Sequence, residues 1–425
     1  MVAQDILRVL YAPHKVFKDL IQKASYIGPF ILLIIFVVAQ IGSSYVIGAK
    51  TYIEQTMPTG VLGDVWTDNA TLWQANPGVT IGNNYVDYIN ATPAIVGVPD
   101  YYGNSSVEFR INDNNTVQMS LDNFGNQVNC GPDGFNELDF RVDIVAPDAK
   151  PENVSLYLYS LSTSNFFSYD LTSAFSNSVV NVWTNISIPV GSGDWSSNGN
   201  ANWENITGVK LDFTWSSNSN IDLLIDGMFF RGIFKNQLEL YGTLPYIANS
   251  ALNGFAPFLF EWLLLTGLMY LLIKGLKGSV VWKPLMVAVG YALITIVIQA
   301  IIVAVIYTTL PNLNYPLEIL NYVSGEFQGA YDTLLNEIAT VNTVGYIVQA
   351  IVYIWTAALG TFITRAITSD KQIAAQAAMG KPITDIAGAT ESSVDVQGFS
   401  WMKCILVSGA SLFLTIIILG LLLGI

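Results

Sequence analysis

One histidine, two cysteines and few charges set the first limits on this chain. With His14 as the sole imidazole, no Ser-His or Cys-His pair forms away from the segment that holds it, and a zinc site of the His/Cys kind is excluded likewise. Cys130 and Cys404 fall in segments that the topology below puts on opposite sides of a membrane, so no intrachain disulfide is expected. No Gly-rich phosphate loop precedes a helix. Charged residues make up 12% of the chain, against about 25% in ordinary soluble domains.

The deficit of charge falls where the apolar residues concentrate. Five stretches, Tyr26 to Gly48, Ala251 to Ile273, Leu285 to Thr309, Val344 to Thr364 and Ile405 to Ile425, each approach the ~20 residues that cross a bilayer core as a helix. The first is too long, and starts too late, for a cleaved leader and reads as a retained span. Ahead of it, Ile6, Leu10, Phe17, Leu20 and Ile21 recur near helical spacing among Lys15, Lys18 and Lys23. Residues 1–25 are therefore expected to form an interfacial helix interrupted at Pro13.

Basic residues orient the spans. Arg8, Lys15, Lys18 and Lys23 precede the first span; Lys274, Lys277 and Lys283 fall between the second and third; Arg365, Lys371, Lys381 and Lys403 lie in residues 365–404. These segments belong inside. The loop 310–343 has Glu318, Glu326, Asp332 and Glu337 without Lys or Arg, and Lys50 to Ser250 holds 21 acidic against 7 basic residues, so both belong outside, as does the C-terminus. Seven sequons, at Asn69, Asn90, Asn104, Asn114, Asn153, Asn185 and Asn205, lie in that outer segment and are glycosylation candidates.

Within residues 49–250, a lead-in from Thr51 to Tyr102 lacks clean alternation. Short alternating runs follow: Val107 to Ile111, Val117 to Leu121, Leu138 to Ile144, Val154 to Tyr159, Val179 to Pro189, Val209 to Trp215 and Ile221 to Phe230. Period two marks half-buried strands, and clusters such as Asn112 to Asn115 and Gly191 to Asn202 carry turn chemistry. The expected architecture is an α-helical five-span bundle with an all-β antiparallel sandwich inserted between spans one and two.

Two resemblances add to this reading. Trp203 to Gly232, with Leu224-Ile225-Asp226-Gly227 as its most telling part, resembles the last two strands of galactose-binding-like jelly rolls, the fold of many carbohydrate-binding modules. The resemblance implies a structural calcium near the final strand, with Asp226 or Asp222 as its ligand, and glycan stacking on tryptophans such as Trp195, Trp203 and Trp215. In the membrane part, Ala12-Pro13-His14-Lys15-Val16-Phe17, Tyr26-Ile27-Gly28-Pro29 and Gly290-Tyr291 are similar to motifs of the Yip (Ypt-interacting protein) family, which implies five spans with an inner N-terminus. An acidic, Asn/Ser-rich exterior without disulfides suits an archaeal cell surface.

Gly28-Pro29 supplies a bend into the first span and Gly290 permits close helix approach. Gln40, Gln299 and Gln349 sit inside spans, where an amide seeks an interhelical partner. Glu261 is the acidic residue well inside a span, with a structural role, protonated or hydrogen-bonded, set against a proton or cation role. Asp139 and Asp143 share one strand face, which alone does not make the opposed pair of a glycoside hydrolase.

The sequence thus points to a non-catalytic membrane protein that anchors or organises envelope components, with glycan or surface-layer protein outside and membrane proteins or a second copy as partners, and no nucleic acid. A solute or ion transporter using Glu261 is the second reading and an outer glycan hydrolase the third. Apart from the structural calcium, no cofactor is expected.

Overall fold

A computed structural model describes residues 2–59, 63–86, 88, 103–321, 326–370, 373 and 398–423. The chain divides into two compact units. One comprises Met1–Lys50, Gln237–Asn312 and Asn336–Ile425; the other comprises Thr51–Asn236 and Leu313–Leu335.

The first unit is helical. Its elements are α1 (Val2–Tyr11), α2 (Pro13–Gln22), α3 (Ile27–Lys50), α4 (Gln237–Tyr241), α5 (Thr243–Gly275), α6 (Trp282–Ala292) and α7 (Ile294–Tyr307). The short α8 (Leu317–Asn321) belongs to the other unit, and α9 (Glu326–Ser369) begins there; α10 (Trp401–Leu423) completes the set. Among the described residues five helices, with α6 and α7 counted together, are long and apolar enough to cross a membrane.

Pro13 ends the first amphipathic helix and occupies the first position of the second, where its missing N–H costs nothing. The apolar face of this pair turns into the bundle: Val16 and Phe17 are fully buried in a core with Trp262, Leu285 and Tyr291, while Leu7 and Tyr11 stay exposed.

Close helix approaches depend on small residues. A Cβ on Gly28 would lie 2.1 Å from the Tyr291 ring, and one on Gly290 would lie 2.7 Å from Pro29 and 2.8 Å from Trp262. The two motifs singled out in the sequence therefore pack on each other. Gly360 meets Ser408 in the same manner, and Ser408 Oγ donates to the Ala357 carbonyl at 2.7 Å. The α5 helix continues through Pro257, and Gly254 lets Gln40 of α3 come close.

The second unit is built of β1 (Thr51–Met57), β2 (Gln74–Ala75), β3 (Thr80–Asn84), β4 (Ser106–Leu121), β5 (Glu137–Ala146), β6 (Asn153–Ser160), β7 (Ser162–Asp170), β8 (Thr184–Pro189), β9 (Ser196–Asn198), β10 (Ile206–Asn236) and β11 (Leu313–Tyr315). The 31-residue β10 is the spine. Its first part lies between β4 and β6, its middle between β4 and β5, and its end beside β1. β7 and β9 extend the β6 side, β8 extends β5, β2 and β3 flank β4, and β11 joins β1 in parallel.

Alternation suggested turns at Asn112 to Asn115 and after Trp215. Instead β4 and β10 run through these points as one antiparallel pair whose register shifts between Thr214 and Ile221, with Asp113 at φ +49°. Both strands bulge at the same level, so the ladder bends without ending. Side chains from either side of the bend, among them Leu158, Leu211 and Phe213 on one part and Phe109, Leu138 and Phe230 on the other, meet in one core. Each such burial contributes about 1.5–3 kcal/mol. Trp66 and Trp73, from the lead-in that lacked alternation, belong to the same core.

Candidate functional site

Two features of the β unit bear on function. The first follows from β5, where Leu138, Phe140, Val142 and Ile144 face the core and period two sends Asp139, Arg141 and Asp143 to the opposite face. An outward strand face is ordinarily wet, yet these three are 4–6% exposed. Glu318 and Glu326 of the acidic segment reach Arg231 and Arg141, and Glu54 of β1 joins Arg231 beside Asp139.

Arg231 is the hub. Its Nε and Nη2 donate to Glu54 at 2.9 and 2.7 Å, its Nη1 to Asp139 at 2.7 Å, and its two terminal nitrogens to Glu318 at 2.6 and 3.0 Å. Glu54 also accepts from the backbone N–H of Gly232 and Leu317. Burial opposes the charge on Arg231, but hydrogen bonds to Glu318 and Glu54 and the field of Asp139 hold the guanidinium ionised. Burial likewise pushes Glu318 up, and the bonds from Arg231 outweigh it, leaving that carboxyl below its ordinary range.

Beside this hub, Arg141 donates to the Gly227 carbonyl at 3.1 Å, lies 3.7 Å from Glu326, and places its guanidinium 5.0 Å from the Tyr88 ring centre. Tyr88 donates its hydroxyl to Glu326, and Asn185 Nδ2 donates to Glu326 at 3.2 Å. Burial, with that bond to Glu326, raises the Tyr88 phenol. Burial and the nearby Asp222 raise Asp143. The hydrolase reading needs two opposed carboxyls with room for substrate; here Asp139 is committed to Arg231.

Asp222 and Asp226 lie in different surroundings. Asp222 accepts from Arg110 at 3.1 Å near the surface, whereas Asp226 is fully buried and accepts from the Gly227 and Tyr88 N–H groups. Beside Asp226 sits Asp64, also fully buried, accepting from Thr67 Oγ1 at 2.9 Å and Gly227 N at 3.1 Å. Burial and the charge of Asp226 raise the Asp64 carboxyl well above its usual range. Asp64 Oδ1 is one of several buried side-chain oxygens that have no hydrogen-bond partner among the described residues. A calcium takes six to eight oxygens; among the described residues no group of three or more acidic, His or Cys side chains gathers to supply them, and three of the pair's four oxygens already accept N–H or O–H groups. The donors present therefore do not fit that ion.

The second feature is aromatic. Trp203 stacks on Phe167 with ring centres 3.8 Å apart at 7°, Trp195 meets Trp203 edge-on at 5.3 Å, and Tyr169 lies 5.0 Å from Trp195. All but Phe167 are half-buried. Trp195 is pinned by its indole N–H on the Pro189 carbonyl at 2.8 Å. The residues that follow Trp195 are polar and exposed: Ser196, Ser197 and Asn198 of β9, which pairs with β7, and Asn200 of the turn after it. Trp215 is not part of this group; it is 2% exposed, stacks on Phe213 and donates to the Ala149 carbonyl.

Of the sequons, Asn104, Asn153 and Asn185 are exposed, Asn69, Asn114 and Asn205 are half-buried, and Asn90 lies outside the described residues. In the helical unit, Gln349 donates to Tyr353 of its own helix at 2.8 Å. Among the described residues neither Gln40, Gln299 nor Glu261 makes a side-chain hydrogen bond. A buried hydroxyl pair, Thr295 and Thr356 at 2.6 Å, links α7 to α9 instead.

No family model matches the chain, and no curated protein matches it. Among solved structures, the β unit is similar to the family 11 carbohydrate-binding module of cellulosomal cellulase Lic26A-Cel5E of Clostridium thermocellum, at 11% identity over 38% of this chain and 86% of that one, with TM-score 0.24. It is also similar to TmCBM61 in complex with β-1,4-galactotriose, at 14% identity over 39% and 92% of the two chains with TM-score 0.21. A third is the β-1,2-glucanase from Parabacteroides distasonis, at 15% identity over 39% and 24% with TM-score 0.24.

Proposed function

We propose that this chain is a non-catalytic membrane protein that displays a glycan-binding, jelly-roll-like β unit on the outer face of the cell. The observation that carries the reading is the Trp195–Trp203–Tyr169 cluster. Half-exposed aromatic faces, with Trp195 pinned by its indole hydrogen bond and exposed Ser and Asn side chains on the adjoining β9, offer apolar area for a sugar ring and polar partners for its hydroxyls. Five apolar helices supply the anchor. The eleven Lys and Arg of the three inner segments, against none in residues 310–343, support the orientation. A Yip-like helical unit agrees with that plan through Gly28-Pro29 and Gly290-Tyr291.

Full-length protein in nanodiscs, probed on an array of neutral and acidic glycans, tests the binding, and protease treatment of intact cells tests the location. Specific oligosaccharide binding with cleavage between Lys50 and Ser250 supports the proposal. An array without binding, or cleavage of that segment in inverted vesicles only, refutes it.

A further inference from the structure

At one end of the helical unit, α2, the last turns of α9 and the start of α10 line an open pocket of about 540 Å³. His14 and Lys18, four residues apart on one face of α2, form one wall; Phe362 and Arg365 of α9 form the second; Phe399 and Trp401 close the third. The ionisable groups in this lining are an imidazole, an ammonium and a guanidinium, with no carboxylate, in a chain whose net charge is −14. Among the described residues no carboxylate is within ion-pair distance of Lys18 or Arg365, whereas Arg8 of the neighbouring helix has Asp5 and Asp19.

The Arg365 guanidinium is held 4.2 Å from the Trp401 ring centre, and Trp401 meets Phe362 edge-on at 5.8 Å. Stacking fixes the plane of the guanidinium while leaving its N–H groups to a ligand. The backbone of Phe399 is tied to α9 by its N–H on Thr368 Oγ1 at 3.2 Å, so the apolar wall is fixed too. Cations gathered without a counter-charge repel one another, and an anion with several acceptor oxygens relieves that repulsion and uses the donors.

We propose that this pocket binds a phosphate-ester anion, with His14, Lys18 and Arg365 on the phosphate oxygens and Phe362, Phe399 and Trp401 against the carbon skeleton. Two sources share that chemistry: the headgroup of an anionic glycerophospholipid, which the position at the ends of two span-forming helices favours, and a soluble phosphate ester.

The test uses the full chain in neutral detergent, with thermal unfolding and native mass spectrometry as readouts and three probes: dioleoylphosphatidylglycerol, dioleoylphosphatidylcholine and glycerol 3-phosphate. Phosphatidylglycerol is expected to raise the melting temperature and remain bound, phosphatidylcholine to do neither, and each cation removed by Lys18→Gln or Arg365→Gln to weaken retention about fivefold. Stabilisation by glycerol 3-phosphate without lipid assigns the site to a soluble ester and upholds the phosphate chemistry. Lys18 is exposed, so its variant should melt like the parent when no probe is present, which separates lost binding from lost folding. Equal retention of both lipids with no effect of glycerol 3-phosphate, or binding undiminished in Lys18→Gln and Arg365→Gln, overturns the proposal.

Discussion

Replacing Arg231 by leucine removes the guanidinium that Glu54, Asp139 and Glu318 share, while keeping an apolar stem of similar reach. Three carboxylates then converge with their cation gone, two of them less than a tenth exposed. Removing one partner of a buried ion pair costs about 3–5 kcal/mol, most of it the penalty of the stranded charge. For a unit of this size each kcal/mol lowers the melting temperature by about 2–4 °C, so the fall should be about 6–20 °C. Glu318→Gln is the contrasting variant: the cluster holds three carboxylates to one guanidinium and Glu318 is a quarter exposed, so its cost should stay within about 1 kcal/mol. Tryptophan fluorescence of the full-length protein reads the transition, since Trp66, Trp73 and Trp215 lie in the core of that unit. An Arg231→Leu melt within 1–2 °C of the parent would refute the argument that this hub ties Leu313–Leu335 to the sheet.

Gly28→Ala should destabilise the helical unit by about 1–3 kcal/mol, because its methyl meets the Tyr291 ring, and adding Tyr291→Leu should restore part of the loss; additive costs in the double variant would contradict the contact. For Glu318, the folded-state carboxyl lies below its ordinary value of 4.5, so the stability it contributes is complete above that pH and is lost as pH falls through the folded value. An acid melt series should show Glu318→Gln losing less stability below about pH 4.5 than the parent, and parallel curves would count against the ion pair. Asp64 has the opposite sign: its folded value is raised above 3.8, so its contribution is complete below that pH and declines as pH rises through the folded value. Asp64→Asn should therefore stabilise the β unit at neutral pH, with no response to calcium or chelator in the parent; a calcium-dependent melt would return the Asp64–Asp226 pair to the metal reading.

The parts of this fold legible in the sequence are those whose side chains alternate against one core. Val107, Phe109 and Ile111, or Leu138, Phe140, Val142 and Ile144, announce strands because period two separates a buried face from the other. The strand β7, with the sequence STSNFFSYD, is polar at most positions because its burial is partial, and β1 begins directly after the α3 helix, so neither stands out. The hub was hidden for a different reason. Arg231 and Glu318 are 87 residues apart and Arg231 and Glu54 are 177 apart, and neither carboxylate carries a local mark. One signal was present: Asp139, Arg141 and Asp143 alternate with core residues on a face that would be too charged to stay dry unless something covered it, and an acidic loop without Lys or Arg was available. In the membrane part the reverse holds, since glycine-containing motifs at residues 28–29 and 290–291 reveal close packing through composition alone. For the aromatic site, indole content pointed to Trp195, Trp203 and Trp215 alike. Only geometry separates the half-exposed pair from Trp215, which the core absorbs.

A sugar platform at Trp195 and Trp203 is separable by experiment from an outlying patch of core. Its most direct test is a calorimetric titration of the full-length protein with an oligosaccharide selected on the array, comparing the parent with Trp195→Ala. Trp195→Ala is expected to lose at least tenfold in affinity, about 1.4 kcal/mol, with the melting temperature of the β unit little changed because Trp195 is half-exposed. Unaltered affinity in a folded Trp195→Ala protein would contradict it.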